Sequence, residues 1–160
     1  MSSSRLALWL GALAVTGAAV VGFAAPGPPA QARAGRTLDW VAVKKADTEP
    51  RTVTLGASWV TYLELHEARN GKPGRMIGDG SARCGAVLVT KEGPVTQCQR
   101  VLRLHDGSLA LSAMIDRFGS GPYTGSSAVV GGTGIYATAA GDAEITLDGD
   151  LVRFRIHLDG

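Results

Sequence analysis

The sequence predicts an all-β fold, a small antiparallel closed β-barrel of about eight strands. Short apolar stretches alternate with period two, as in 152–158, and turn-forming residues separate these stretches at regular spacing. No helical periodicity follows residue 33. Closure removes the edges of a sheet, and about eight strands suit a barrel with room for one ligand. Periodicity alone also fits an antiparallel sandwich, which stays open as the alternative.

The first 32 residues have the composition of an export signal. Arg5 gives a positive start, residues 6–25 are almost wholly apolar, and an Ala-x-Ala sequence ends at Ala32. This layout predicts a secretory signal peptide over 1–32 that is cleaved near Ala32. Because the apolar run is about 20 residues long, an uncleaved membrane anchor is the alternative. We expect a secreted, extracellular protein with no stable membrane association after cleavage.

The rest of the chain divides into a linker, 33–37, and one domain, 38–160. The full sequence has a formal net charge of +2, and removing the signal peptide, whose only charged residue is Arg5, leaves about +1. A near-neutral domain without a basic patch interleaved with aromatic residues is not expected to bind nucleic acid.

The two cysteines, Cys84 and Cys98, flank a predicted hairpin with its turn at 91–94. Antiparallel pairing about this turn places them nearly opposite each other, within disulfide reach. Export favours a structural disulfide. A metal pair or a redox dithiol is the alternative, but the spacing is not C-x-x-C and no histidine is near in sequence.

The first half of the domain contains strands separated by turn clusters. Residues 38–43 and 59–66 are rich in β-branched and aromatic residues, and 53–55 is a possible short strand between them. The glycine-containing clusters 70–74 and 78–80 predict turns before the cysteine hairpin.

The second half continues the same pattern. The strand after Cys98 extends through 101–104, and Asp106-Gly107 predicts a tight hairpin before the alternating strand 108–116. Residues 118–127 contain glycines and a proline and predict a loop.

A glycine-rich corner, 131–134, follows the apolar strand 128–130. Its glycines permit positive φ and close backbone approach, and the next strand is expected to begin at Ile135 or Tyr136. The corner also matches the dinucleotide fingerprint G-x-G-x-x-A. That fingerprint requires a helix afterwards, whereas 142–147 alternates as a strand.

These residues carry a resemblance to the allene oxide cyclase and dirigent barrel superfamily. Its motif is a small-apolar strand, then G-G-[ST]-G-x-[FY], then a further glycine. The likeness runs from about Tyr62 to Leu158, and its structural glycines are Gly131, Gly132, Gly134 and Gly141. The resemblance implies a barrel that binds a small lipophilic molecule without a metal or cofactor. It also implies a possible homo-oligomer, since relatives commonly form trimers.

A second match concerns the chemistry. Plant allene oxide cyclases carry Y-E-[IL]-N-E followed by S-P, and this chain has Leu-Glu-Leu-His-Glu over 63–67 followed by Lys72-Pro73. The resemblance implies that Glu64 is the catalytic carboxylate and that Pro73 helps to bind the ligand. His66 and Lys72 replace the family's asparagine and serine, which leaves the substrate open. His66 is kept as a ligand-binding candidate.

Asp79 is a further ligand-binding candidate, because dirigent-type proteins are thought to use acidic pocket residues. Strand alternation places Glu64 and His66 on one face, and Leu63 and Leu65 on the other. Composition alone favours a solvated Glu64. The resemblance implies a Glu64 inside the pocket, with a pKa raised by burial, and we expect this second arrangement.

Two functions follow from these expectations. The first is an exported, cofactor-free isomerase that steers the cyclisation of a reactive lipophilic substrate, with Glu64 polarising it. The alternative is a non-catalytic, dirigent-like or small apolar ligand-binding barrel, and a secreted structural module is a third possibility. The position of Glu64, inside or outside the cavity, discriminates between them.

Overall fold

In the computed structural model, which describes residues 35–160, eight antiparallel strands form a closed barrel. Each strand pairs with the next in sequence, and the last pairs with the first. The strands are β1 (Arg36–Asp47), β2 (Ser58–Arg69), β3 (Lys72–Val89), β4 (Pro94–Leu104), β5 (Gly107–Asp116), β6 (Tyr123–Gly134), β7 (Gly141–Asp148) and β8 (Leu151–Leu158). This topology confirms the barrel and excludes the sandwich.

The predicted signal peptide, 1–32, and residues 33–34 of the predicted linker lie outside the described residues. The linker expected over 33–37 is shorter than predicted, because β1 already begins at Arg36. Among residues 35–160, no helix is long and apolar enough to cross a bilayer.

The period-two patterns of the sequence become the two faces of the barrel wall. In β8 the side chains of Val152, Phe154 and Ile156 are buried inside, while Arg155 and His157 are exposed outside. Since successive side chains of a strand point to opposite faces, each strand contributes every second residue to the interior.

The turns predicted within 70–74, at 91–94 and at Asp106-Gly107 are confirmed as the connections 70–71, 90–93 and 105–106. A further hairpin joins β7 to β8 through 149–150. The loop expected over 118–127 is shorter than predicted, because β6 already begins at Tyr123.

Two expectations for the first half of the domain are wrong. Residues 53–55 do not form a strand and belong to the loop 48–57 between β1 and β2. Residues 78–80 are not a turn but lie within β3. A Cβ atom on Gly78 would lie 2.1 Å from the carbonyl oxygen of Arg103, so this glycine allows β3 and β4 to approach closely.

The strand expected to begin at Ile135 or Tyr136 begins instead at Gly141, and 135–140 form a turn. Gly134 has φ +60°, and a Cβ atom there would lie 2.1 Å from a carbonyl oxygen of the β4–β5 connection. The corner therefore needs glycine both for its backbone angle and for close approach, as expected, but it reverses the chain over a longer stretch.

The connections fall at two ends of the barrel. The packed end has the connections 70–71, 105–106 and 135–140. The open end has the connections 48–57, 90–93, 117–122 and 149–150. Large apolar side chains of the main core fill the barrel towards the packed end, among them Trp40, Leu65, Leu102, Leu109 and Ile156.

Candidate functional site

A cavity of about 240 Å³ lies inside the barrel at its open end. Its walls carry Thr61 on β2, Ala82 on β3 and Thr96 on β4, at inward positions where the packed end has leucine and tryptophan. Protein interiors are otherwise close-packed, so short side chains at these positions leave the space unfilled. The cavity is therefore a consequence of which side chains the strands direct inward.

The disulfide between Cys84 and Cys98 forms part of the cavity wall. The two cysteines are direct partners in the β3–β4 register, as the hairpin predicted. Both are buried and pack with Trp59, Ala82 and Ala86 in a small second core. This covalent link between β3 and β4 stabilises the wall beside the cavity, and the predicted disulfide is confirmed.

Arg100 lines the cavity from β4, on the same inward face as Cys98 and Leu102. The residue is only 2% exposed. Its Nη1 atom is buried and has no hydrogen-bond partner in the described part of the chain. Burial lowers the pKa of the Arg100 guanidinium from its usual value to about 10. A buried charge without a partner is costly, because it loses its hydration and gains no compensating bond.

The other two cationic side chains that line the cavity are each paired with a carboxylate. Nζ of Lys44 lies 3.4 Å from Oδ2 of Asp47. Arg117 donates a hydrogen bond from Nη1 to Oε1 of Glu49, although its own Nε is buried without a partner. Since the two charges within each pair neutralise each other, Arg100 is the cationic side chain of the cavity whose charge no described residue compensates.

Aromatic side chains surround the cavity where it meets the loops of the open end. The guanidinium of Arg117 lies 6.0 Å from the ring centre of Trp59 and 5.4 Å from that of Tyr123. The hydroxyl of Tyr123 donates a hydrogen bond of 2.8 Å to the carbonyl oxygen of Gly119, which holds the loop 117–122 against β6. Flat aromatic faces next to cations can contact both the apolar body and the π-electrons of a planar ligand.

Glu64 lies on the outer face of the barrel, contrary to the expectation that it faces the pocket. Leu63 and Leu65 occupy the inner face of β2. Oε2 of Glu64 lies 2.9 Å from Nζ of Lys45 and 3.9 Å from Nε2 of His66, and it does not line the cavity. The strand alternates as expected, but its apolar leucine face is the inner one because burying leucine is more favourable than burying a carboxylate.

The remaining candidates from the sequence also lie away from the cavity. Asp79 is a cross-strand neighbour of Glu64 on the outer face, and it accepts hydrogen bonds from Arg103 Nε (2.7 Å) and from the hydroxyl of Tyr62 (2.9 Å). The hydrogen bond from Arg103 lowers the pKa of the Asp79 carboxyl below its usual value. Pro73 is exposed near the start of β3, at the packed end. The structure thus brings Glu64 and Asp79 together, but on the outside.

Arg100 is not among the site residues expected from the sequence. The signal that identifies it is its register: it lies two residues after Cys98 and two before Leu102, both of which face inward. A charged residue on an otherwise buried face of a predicted strand indicates either a buried ion pair or a binding group. Among residues 35–160, no three His, Cys, Asp or Glu side chains form a cluster that could hold a metal ion.

No protein-family model matches the sequence, and no curated protein matches it. Among the solved structures that share the fold are the following two. One is a pyocyanin demethylase, 19% identical, covering 77% of this chain and 99% of that chain with a TM-score of 0.61. The other is a pterocarpan synthase dirigent protein, 13% identical, covering 88% of this chain and 98% of that chain with a TM-score of 0.59. At these identities the likeness shows a shared barrel fold and does not single out allene oxide cyclases.

Proposed function

We propose that the protein binds a small lipophilic molecule in the cavity at the open end, as a dirigent-like or ligand-binding barrel. The observation that carries this is the cavity itself, about 240 Å³ in volume and bordered by Trp59, Leu63 and Val152. Known small-molecule sites are concave and mostly apolar, with a few polar groups, and most measure about 300–1,000 Å³. The ligand is therefore expected to be small, on the scale of one or two rings.

The wall around this cavity is suited to holding a flexible molecule in one shape. The barrel is closed, and the Cys84–Cys98 disulfide links two of the strands that border the cavity. A preformed site can direct a reaction by restricting the conformations of its ligand, without a catalytic group of its own. The two structural neighbours bear the names of different activities, so the fold does not determine which reaction, if any, follows binding.

The cyclase function expected from the sequence depended on a Glu64 carboxylate inside the cavity. Glu64 is outside the cavity, and Glu49, which among the described residues supplies the cavity's one carboxylate, is already hydrogen-bonded to Arg117. We therefore propose binding and positioning of the ligand as the primary function. The disulfide supports an oxidising, extracytoplasmic location, in agreement with the export that we propose from residues 1–32.

Ala82→Phe tests the cavity directly, because the new ring would project into the empty space from β3. The matched control is Ser81→Phe, which adds the same ring at the adjacent exposed position on the outer face. The probe is the neutral, planar 2-naphthamide, and its binding to the purified protein is measured by titration calorimetry. We expect Ala82→Phe to weaken binding at least about tenfold, while Ser81→Phe binds like the wild type.

Melting curves from circular dichroism show whether both variants remain folded. If folded Ala82→Phe binds 2-naphthamide as well as the wild type does, the ligand site is elsewhere and the proposal is wrong.

A further inference from the structure

Arg100 is a charged side chain of the cavity that has no ion-pair partner among the described residues. Arg100 is 2% exposed and its Nη1 has no partner among the described residues, yet it lines the cavity together with apolar side chains. An arginine that stabilised the fold would donate hydrogen bonds to backbone carbonyls or pair with a carboxylate. The described residues provide Arg100 with no ion pair, and burial is the one cause of its lowered pKa.

We propose that the ligand is a lipophilic monoanion, an organic acid whose carboxylate pairs with the guanidinium of Arg100. This inference rests on the proposed function, since it identifies the class of molecule that the same cavity binds. The planar guanidinium presents parallel N–H groups that match the two oxygens of a carboxylate. Such charge-assisted bonds are strongest where water is excluded, as it is around a 2%-exposed side chain.

The number of unpaired charges sets the charge of the ligand. Lys44 is neutralised by Asp47 and Arg117 by Glu49, so the part of the chain that the structure describes leaves one positive charge for the ligand to balance. A single carboxylate satisfies that charge, whereas a phosphate monoester would bring a second negative charge into the cavity without a partner. The site therefore favours a carboxylic acid over a phosphate ester.

The side chains around Arg100 determine the polarity and shape that we expect for the rest of the ligand. Ala82 on β3 and Leu111 on β5 are its direct neighbours in the strand register, and both are apolar. The rings of Trp59 and Tyr123 border the cavity nearer the loops of the open end. A carboxylate at Arg100 thus places the ligand's apolar body between the barrel wall and these rings. A flat body would have the most favourable contacts there.

The test compares acids with their uncharged amides, which have nearly the same shape. Three pairs with different bodies are titrated calorimetrically at pH 7: cinnamate and cinnamamide, 2-naphthoate and 2-naphthamide, and decanoate and decanamide. For at least one body we expect the acid to bind about 10- to 100-fold more tightly than the amide. Arg100→Met, which keeps a side chain of similar length without charge, should abolish that preference while the amide still binds.

Two further variants control for folding and for general charge. Arg100→Lys keeps the positive charge and should retain part of the preference for the acid, even if Arg100→Met were to fold poorly. Arg103→Met removes an exposed arginine of the same strand that lies on the outer face, and it should leave the preference unchanged.

The possible failures are distinguishable. If the amides bind in the cavity as tightly as the acids, and folded Arg100→Met changes neither, the proposed function stands and the assignment of an anionic ligand is wrong. If none of the six compounds binds to the wild-type protein, both the proposed function and this inference are wrong. If Arg103→Met abolishes the preference as well, the acids respond to the surface charge of the protein rather than to Arg100.

Discussion

The packed end and the open end of the barrel are built by the same strands with the same alternation, yet they differ in what fills them. Towards the packed end, large side chains such as Leu102 and Ile156 are fully buried against one another. At the open end, Ala82 and Thr96 occupy inward positions, and a cavity with an unpaired Arg100 remains. The comparison indicates that one end of the barrel provides stability and that this allows the other end to keep space and charge for a ligand.

The largest expected effect comes from shortening a leucine at each end. Leu102→Ala at the packed end should lower the free energy of unfolding by about 3–4 kcal/mol, because it opens a new void in a fully packed core. Leu147→Ala should cost only about 1 kcal/mol, since this half-buried side chain already borders the cavity. Urea denaturation of the two variants measures the difference. Equal losses would show that the two ends are equally packed and would remove the basis of the comparison.

The second-largest expected effect is an increase in the free energy of unfolding. Arg100→Met should raise the free energy of unfolding at pH 7 by about 2 kcal/mol, because an unpaired buried charge is replaced by an apolar side chain of similar length. Burial places the folded-state pKa of Arg100 at about 10, below its usual value, so the folded state disfavours the charged form. The buried charge of Arg100 therefore destabilises the wild-type protein at every pH below about 10. This destabilisation disappears as the pH rises from there towards the usual pKa of arginine.

Urea denaturation at pH 7 and pH 9 checks this, and the advantage of Arg100→Met should be the same at both values. A less stable Arg100→Met would mean that the guanidinium has a structural partner, and the open end would then not hold a charge reserved for a ligand.

The smallest effect is expected on the outer face, which belongs to neither end. Glu64→Gln breaks a pair with Lys45 whose side chains are 32% and 46% exposed, and such pairs contribute about 0–1 kcal/mol. We expect a change in unfolding free energy within this range and no change in the affinity for 2-naphthoate. A loss of affinity above about tenfold in Glu64→Gln would show that the outer face takes part in binding and would restore the role first expected for Glu64.

Several features of the fold could be predicted from local sequence because they depend on neighbouring residues along the chain. The alternation of Val152, Phe154 and Ile156 determines the faces of β8, and the turn at 91–94 places Cys84 opposite Cys98. The glycines of 78–80 predict a turn but lie within β3, since the sequence does not reveal that β4 passes within contact distance of Gly78. Glycine in a strand and glycine in a turn differ only in what surrounds them.

The candidate site, too, could be predicted from local sequence only in part. Alternation indicated that Glu64 and His66 share a face, but not which face is inside, because the outer face of β2 also carries the apolar Val60 and Tyr62. Arg100 could have been recognised from its register with Cys98 and Leu102, whereas its lack of a partner could not. An ion pair in a barrel joins residues that are distant in sequence, so only the closed structure shows which charges are paired.

By itself, the sequence determined the all-β class of the fold, an approximate number of strands and the disulfide, because strand alternation, turn chemistry and hairpin register are local properties. Only the tertiary structure decided which faces enclose the interior, where the cavity lies and which charge remains unpaired within it. These properties depend on the closure of β1 against β8, a pairing between residues more than a hundred positions apart that no local pattern encodes.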